Sequence, residues 1–88
     1  MTFTKRTSIF NKVLAELEKA YNKHGKDLWG RHEFYGVMKE EVDEVWDNIK
    51  TDKPIETLEK EIIQVIAVCI RYLETGDRYE ERSKKWNY

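Results

Sequence analysis

Two short acidic segments carry the side chains of this sequence best suited to chemistry. One is Glu40-Glu41-Val42-Asp43-Glu44 and the other is Glu61-Ile62-Ile63-Gln64. Each places two oxygen-bearing side chains, Glu41 with Glu44 and Glu61 with Gln64, three residues apart and so side by side on a helix. On a helical wheel with Glu41 at zero, Phe34 falls at roughly +20°, Val37 at about -40°, Val45 at about +40° and Glu44 at about -60°. Glu41 thus lies within an apolar stripe and Glu44 on its edge, whereas Glu40, Asp43 and Asp47 fall outside and should be solvated. The second segment repeats the layout, with Glu61 between Val68 and Tyr72, and Gln64 at roughly -60°, near Arg71. Carboxylates set into apolar faces cost free energy unless a cation or partner compensates them. Three carboxylates brought together repel one another, and a divalent cation removes that penalty. The chemistry to expect is a hard-cation site of Glu41, Glu44, Glu61 and Gln64, built between two helices.

The elements that must position these groups are helical. Ile9, Phe10, Val13, Leu14, Leu17 and Tyr21 recur at helical spacing, predicting helix 1 from about Ser8 to His24, with Thr7 or Ser8 as its cap. Gly25 suits the left-handed position after it, and residues 26–30 read as a loop. Helix 2 is expected over about Arg31 to Lys50, with Phe34, Tyr35, Met38, Val42, Val45, Trp46 and Ile49 as its apolar face. Gly36 within it weakens the helix slightly or permits close packing. Thr51 to Pro54 is a turn, with Asp52 as a cap and Pro54 in the first turn of helix 3, which runs to about Glu74 and stops before Gly76. Gln64 is the only polar residue from Ile62 to Ile70, so helix 3 belongs at the centre of a bundle. A short charged fourth helix is expected over Asp77 to Lys85. The fold class is all-α: an antiparallel helical hairpin within a four-helix-bundle-like arrangement, in one domain spanning residues 1–88.

At 88 residues with a net charge of -1, the chain gives no general electrostatic pull on nucleic acid. Its basic and aromatic tail from Arg78 to Tyr88 can hold nucleic acid by charge and stacking, but such tails more often pack against a partner. So small a core makes a homo-oligomer, dimer or tetramer, the expectation. The lone Cys69, flanked by Val68 and Ile70, excludes a disulfide framework and reads as a core residue. Residues 1–10 lack a signal-peptide apolar region, and Ile62 to Ile70 is too short to cross a bilayer; no membrane partner and a cytoplasmic location are expected. Trp29 could stack on a base or serve as a core aromatic, and Arg71 could meet a phosphate or pair with a carboxylate. Lys23, Lys26 and Arg31 are weaker phosphate candidates, and His24 and His32 lack metal-ligand spacing with the acids.

The pattern E-E-x-x-E at Glu40, Glu41 and Glu44, followed by E-x-x-Q at Glu61 and Gln64, resembles the MazG-like, all-α nucleoside triphosphate pyrophosphohydrolases. Trp29 to Gly36, with Gln64 to Val68 and Arg71 to Leu73, resembles small, often phage-encoded members, and the likeness covers roughly residues 20 to 75. The resemblance implies that Glu41, Glu44, Glu61 and Gln64 hold Mg²⁺, which makes Glu41 and Glu44 the candidate catalytic groups and leaves Trp29 and Arg71 as the candidate substrate contacts already named. A nucleoside triphosphate would be split to a nucleoside monophosphate and pyrophosphate. Gln64 departs from the family pattern, which ends in E-x-x-D. An amide oxygen can bind Mg²⁺ but carries no charge, so affinity should fall and a second metal be harder to hold. Two readings follow: a tuned enzyme, or a non-catalytic helical interaction protein that keeps the fold.

Overall fold

The computed structural model describes the backbone of residues 3–25 and 30–86, and side chains over residues 4–25 and 30–76. Three helices make up this part of the chain: α1 (Phe3–His24), α2 (Arg31–Lys50) and α3 (Ile55–Trp86). The chain is thus all-helical, with no strand among the described residues.

Local chemistry sets the ends. Gly25 adopts φ 70° and its N–H donates to the Tyr21 carbonyl at 2.8 Å, so a residue without Cβ closes α1. At the end of α2, Asp52 takes the left-handed conformation (φ 52°). Its N–H donates to the Ile49 carbonyl at 3.2 Å, while the Lys53 N–H reaches Asn48 at 3.0 Å. That pair of bonds is a Schellman closure. Asp52 therefore ends α2 and is not the cap of the next helix, as the sequence suggests. The Pro54 carbonyl accepts the first bonds of α3, from the Thr57 and Leu58 N–H groups.

Two further expectations are corrected. α1 begins at Phe3, several residues before the anticipated Thr7 or Ser8 cap. The fourth helix over Asp77 to Lys85 is not separate, because α3 runs without a break through Gly76 to Trp86. Gly76 is buried in that helix, and its missing Cβ leaves room for the Tyr72 ring.

α3 is the central helix: among the described residues it packs against both α1 and α2, whose backbones stay apart from each other. The order of the α2–α3 contacts shows an antiparallel pair, since Phe34 meets Tyr72, Met38 meets Cys69, and Glu41 and Glu44 meet Glu61. Val13 and Leu17 of α1 and Ala67 of α3 form the buried core, with Tyr21, Ile63, Ile66 and Ile70 packed around them. No residue of α2 is fully buried. Its apolar arc is too wide for a single neighbour: Phe34, Met38 and Val45 are partly covered, whereas Tyr35, Val42, Trp46 and Ile49 remain exposed. Cys69 is only partly buried, with Sγ 3.8 Å from Met38 Sδ.

Candidate metal centre

Glu41 and Glu44 lie one turn apart on α2, and the antiparallel course of α3 brings Glu61 opposite them. One carboxylate oxygen from each of the three lies within 4.8 Å of the other two. Glu41 and Glu61 are half-covered by the packing of the two helices, while Glu44 is exposed. Glu40, Asp43 and Asp47 point to solvent; Asp43 pairs with Lys39 at 3.1 Å and Asp47 with Lys50 at 3.3 Å.

The electrostatics follow from this crowding. Burial is the main cause that pushes the Glu41 carboxyl up from 4.5 to about 7, followed by the negative charges of Glu44 and Glu61 and a hydrogen bond with Glu44. Glu61 is also raised, chiefly by its hydrogen bond with Glu44, then by burial and the charge of Glu44. Glu44 thus links the other two. The crowding of these carboxyl groups favours the protonated form of Glu41 and Glu61. A cation would replace those protons. Oxygen ligands on one octahedral Mg²⁺ stand about 3 to 4.2 Å apart, so three donors already within 4.8 Å need only small side-chain rotations. The donor set, all carboxylate oxygen, suits a hard divalent ion and offers nothing to a soft one.

Gln64 follows Glu61 by one turn of α3 and lines, together with Glu41, a cleft of about 570 Å³ between the helices. Its amide is engaged: Nε2 donates to Glu16 Oε2 at 2.8 Å in a partly buried setting. Glu16 belongs to α1 and is absent from the sequence-based set. Its signal was available, because on a wheel with Val13 at zero Glu16 falls at about -60°, Ala20 at about -20° and Leu17 at about +40°. Glu16 therefore sits on the edge of the core-facing stripe of α1, as Glu44 does on α2, and its side chain is only 16% exposed. Lys19, mostly exposed, approaches it at 3.5 Å.

Basic and acidic side chains both line the rest of the cleft, Glu33 of α2 among them. Arg71 is 4% exposed, lines the cleft and sits with its guanidinium 5.7 Å from the centre of the Tyr21 ring, one nitrogen donating to the Gly25 carbonyl at 3.5 Å. Lys19, Lys23 and His24 of α1 also line it. One cleft therefore holds the Glu41 carboxylate together with Lys19, Lys23 and Arg71. The Tyr21 hydroxyl donates to Glu74 at 2.6 Å; burial first, then that carboxylate, push the phenol up to about 12, so it stays protonated. A second hollow, of about 620 Å³ along the outer side of α1 between Thr4 and Ala15, carries no carboxylate. Trp29 and Lys26, expected near the substrate, lie outside the described residues, and Arg31 and His32 are exposed at the start of α2.

Among the described residues no helix is long and apolar enough to cross a membrane. No protein-family model matches this chain, and neither a curated protein nor a solved structure matches it.

Proposed function

We propose that this protein is a Mg²⁺-dependent nucleoside triphosphate pyrophosphohydrolase. The observation that carries the reading is the convergence of Glu41, Glu44 and Glu61 from two helices onto one point, at the edge of a cleft that Lys19, Lys23 and Arg71 also line. Bound there, Mg²⁺ would supply neutralisation of phosphate charge and a more acidic water. Glu41, Glu44 and Glu61 would hold the ion, with the Gln64 oxygen as a neutral fourth donor. A carboxylate oxygen of Glu41 or Glu44 not used for holding accepts a proton from the attacking water. That water's oxygen forms a new bond to the α-phosphorus as the bond to the bridging oxygen breaks, and pyrophosphate leaves. Arg71 and Lys23 offer the charge that receives the departing phosphates, with Trp29 as the candidate base contact that the sequence offers.

Pyrophosphate release from a panel of nucleoside triphosphates, with and without Mg²⁺, tests the reading. Release that needs Mg²⁺ and disappears in Glu61→Gln is expected. No release with any nucleotide would leave the interaction-protein reading in place.

That second reading has its own support. Tyr35, Val42, Trp46 and Ile49 form one exposed apolar stripe along α2. A second copy of this chain would cover it, since an isolated chain with so few buried apolar side chains makes a meagre core. A protein of this kind would then act as a homodimer or a larger assembly.

A further inference from the structure

The role of Glu16 follows from the ambiguity of an amide, and the inference rests on the metal reading above. A glutamine side chain offers a donor NH₂ and an acceptor oxygen that exchange places on rotation by half a turn. Gln64 lies one turn from Glu61 and lines the same cleft as Glu41. In a cleft that also carries the Glu41 carboxylate, the end of the amide that the local field favours is the NH₂. In that orientation Gln64 would donate hydrogen bonds to the cluster and present hydrogens where a cation needs a lone pair.

The structure has the NH₂ elsewhere. Nε2 donates at 2.8 Å to Glu16 Oε2, on the helix that packs against α3 independently of α2. The acceptor is charged and mostly covered, which places this bond among the stronger ones. That bond uses one of the two Nε2 hydrogens and fixes which end of the amide faces α1, leaving Oε1 as its acceptor on the other side. We propose that Glu16 is a positioning residue that draws the Gln64 nitrogen away and so offers the Gln64 oxygen to the cation held by Glu41, Glu44 and Glu61. A carboxylate at position 64 would have two equivalent oxygens and nothing to orient. Glu16 would only repel it.

Calorimetric titration of Mg²⁺ into the full chain tests this, using wild type, Glu16→Ala, Glu16→Gln, Gln64→Asp and the double variant Glu16→Ala/Gln64→Asp, with circular dichroism melts to verify folding. Glu16→Ala is expected to weaken Mg²⁺ binding on the order of 10-fold, the usual cost of losing a group that orients a metal ligand. Glu16→Gln keeps an acceptor of the same length and should restore most of that loss. In the Gln64→Asp background, Glu16→Ala should leave affinity unchanged or raise it. Glu16→Leu replaces Glu16→Ala, alone and in the double variant, if the alanine form does not fold. An equal loss in both backgrounds, no loss in wild type, or a Glu16→Gln variant as weak as Glu16→Ala would overturn the orienting role while leaving the metal site in place. A wild-type chain that takes up no Mg²⁺ would instead overturn the metal reading, and the role of Glu16 with it.

Discussion

Tyr72 of α3 stacks on Phe34 of α2, ring centroids 4.3 Å apart and planes 16° from parallel. The stack pins the antiparallel pair at one end, as the carboxylate cluster marks it further along. It also fixes the meaning of Gly76. A Cβ at that position would overlap the Tyr72 ring, which cannot swing away without leaving Phe34. Glycine to alanine within a helix ordinarily stabilises by about 0.5–1 kcal/mol. At Gly76 the overlap should win, and Gly76→Ala should destabilise by about 1–3 kcal/mol. Gly36 provides the control: nothing lies within 4 Å of its Cβ position. Gly36→Ala should stabilise by the ordinary amount. Urea unfolding of both variants at one pH gives the two signs.

The metal-free protein should lose stability as pH rises. Glu41 has a folded-state value of about 7 against 4.5 ordinarily, and Glu61 is shifted the same way. Between those values the folded chain binds more protons than the unfolded one, so its advantage is full below about pH 4.5 and is lost as pH passes 7. Glu41 is only partly buried, and after solvent screening the loss is roughly 1–2 kcal/mol. Thermal melts in chelator at pH 5 and pH 8 should show a lower midpoint at pH 8. Millimolar Mg²⁺ should raise the midpoint at pH 8 more than at pH 5, because at pH 5 protons occupy the ligands.

Glu41→Gln removes one of the mutually repelling charges. The metal-free variant should be more stable than wild type at pH 8 by about 1 kcal/mol and show a flatter pH dependence. Its Mg²⁺-induced rise in melting temperature should shrink and hydrolysis should fall. A Glu41→Gln variant less stable than wild type in chelator at pH 8 would count against a strained carboxylate at this position.

Gln64→Asp supplies the missing fourth charge. It should enlarge the Mg²⁺-induced shift in melting temperature and raise hydrolysis. In chelator it should cost about 1 kcal/mol, because it exchanges the hydrogen bond to Glu16 for a repulsion. Melts with and without Mg²⁺ separate the two effects.

Trp46 is 57% exposed on the apolar stripe of α2. If a second copy covers that stripe, Trp46→Asp should turn a dimer into a monomer, since an unpaired carboxylate would be buried at the interface. Light scattering at micromolar concentration reads the change directly. A wild-type chain already monomeric under those conditions would sink the dimer.

Much of this arrangement could be read from residue spacing. The limits of α2, the left-handed Gly25, the central place of α3, and the contrast between Glu41 and the solvated Glu40, Asp43 and Asp47 all follow from local propensity or helical periodicity, which the chain carries along its own length. Periodicity could not say which part of a wide apolar arc meets a neighbour. Tyr35, Val42, Trp46 and Ile49 repeat as regularly as Phe34 and Val45, but only the angle at which α2 lies on α3 leaves the first group exposed. Nor could it place the end of α3, because a glycine stops a helix or continues it according to what fills the space beside it, and at Gly76 that is the Tyr72 ring. Glu16 is the plainest case. Its place on the edge of the inner stripe of α1 is visible in the sequence, but its partner Gln64 lies 48 residues away on α3, and only the packing of those two helices brings a carboxylate to that amide.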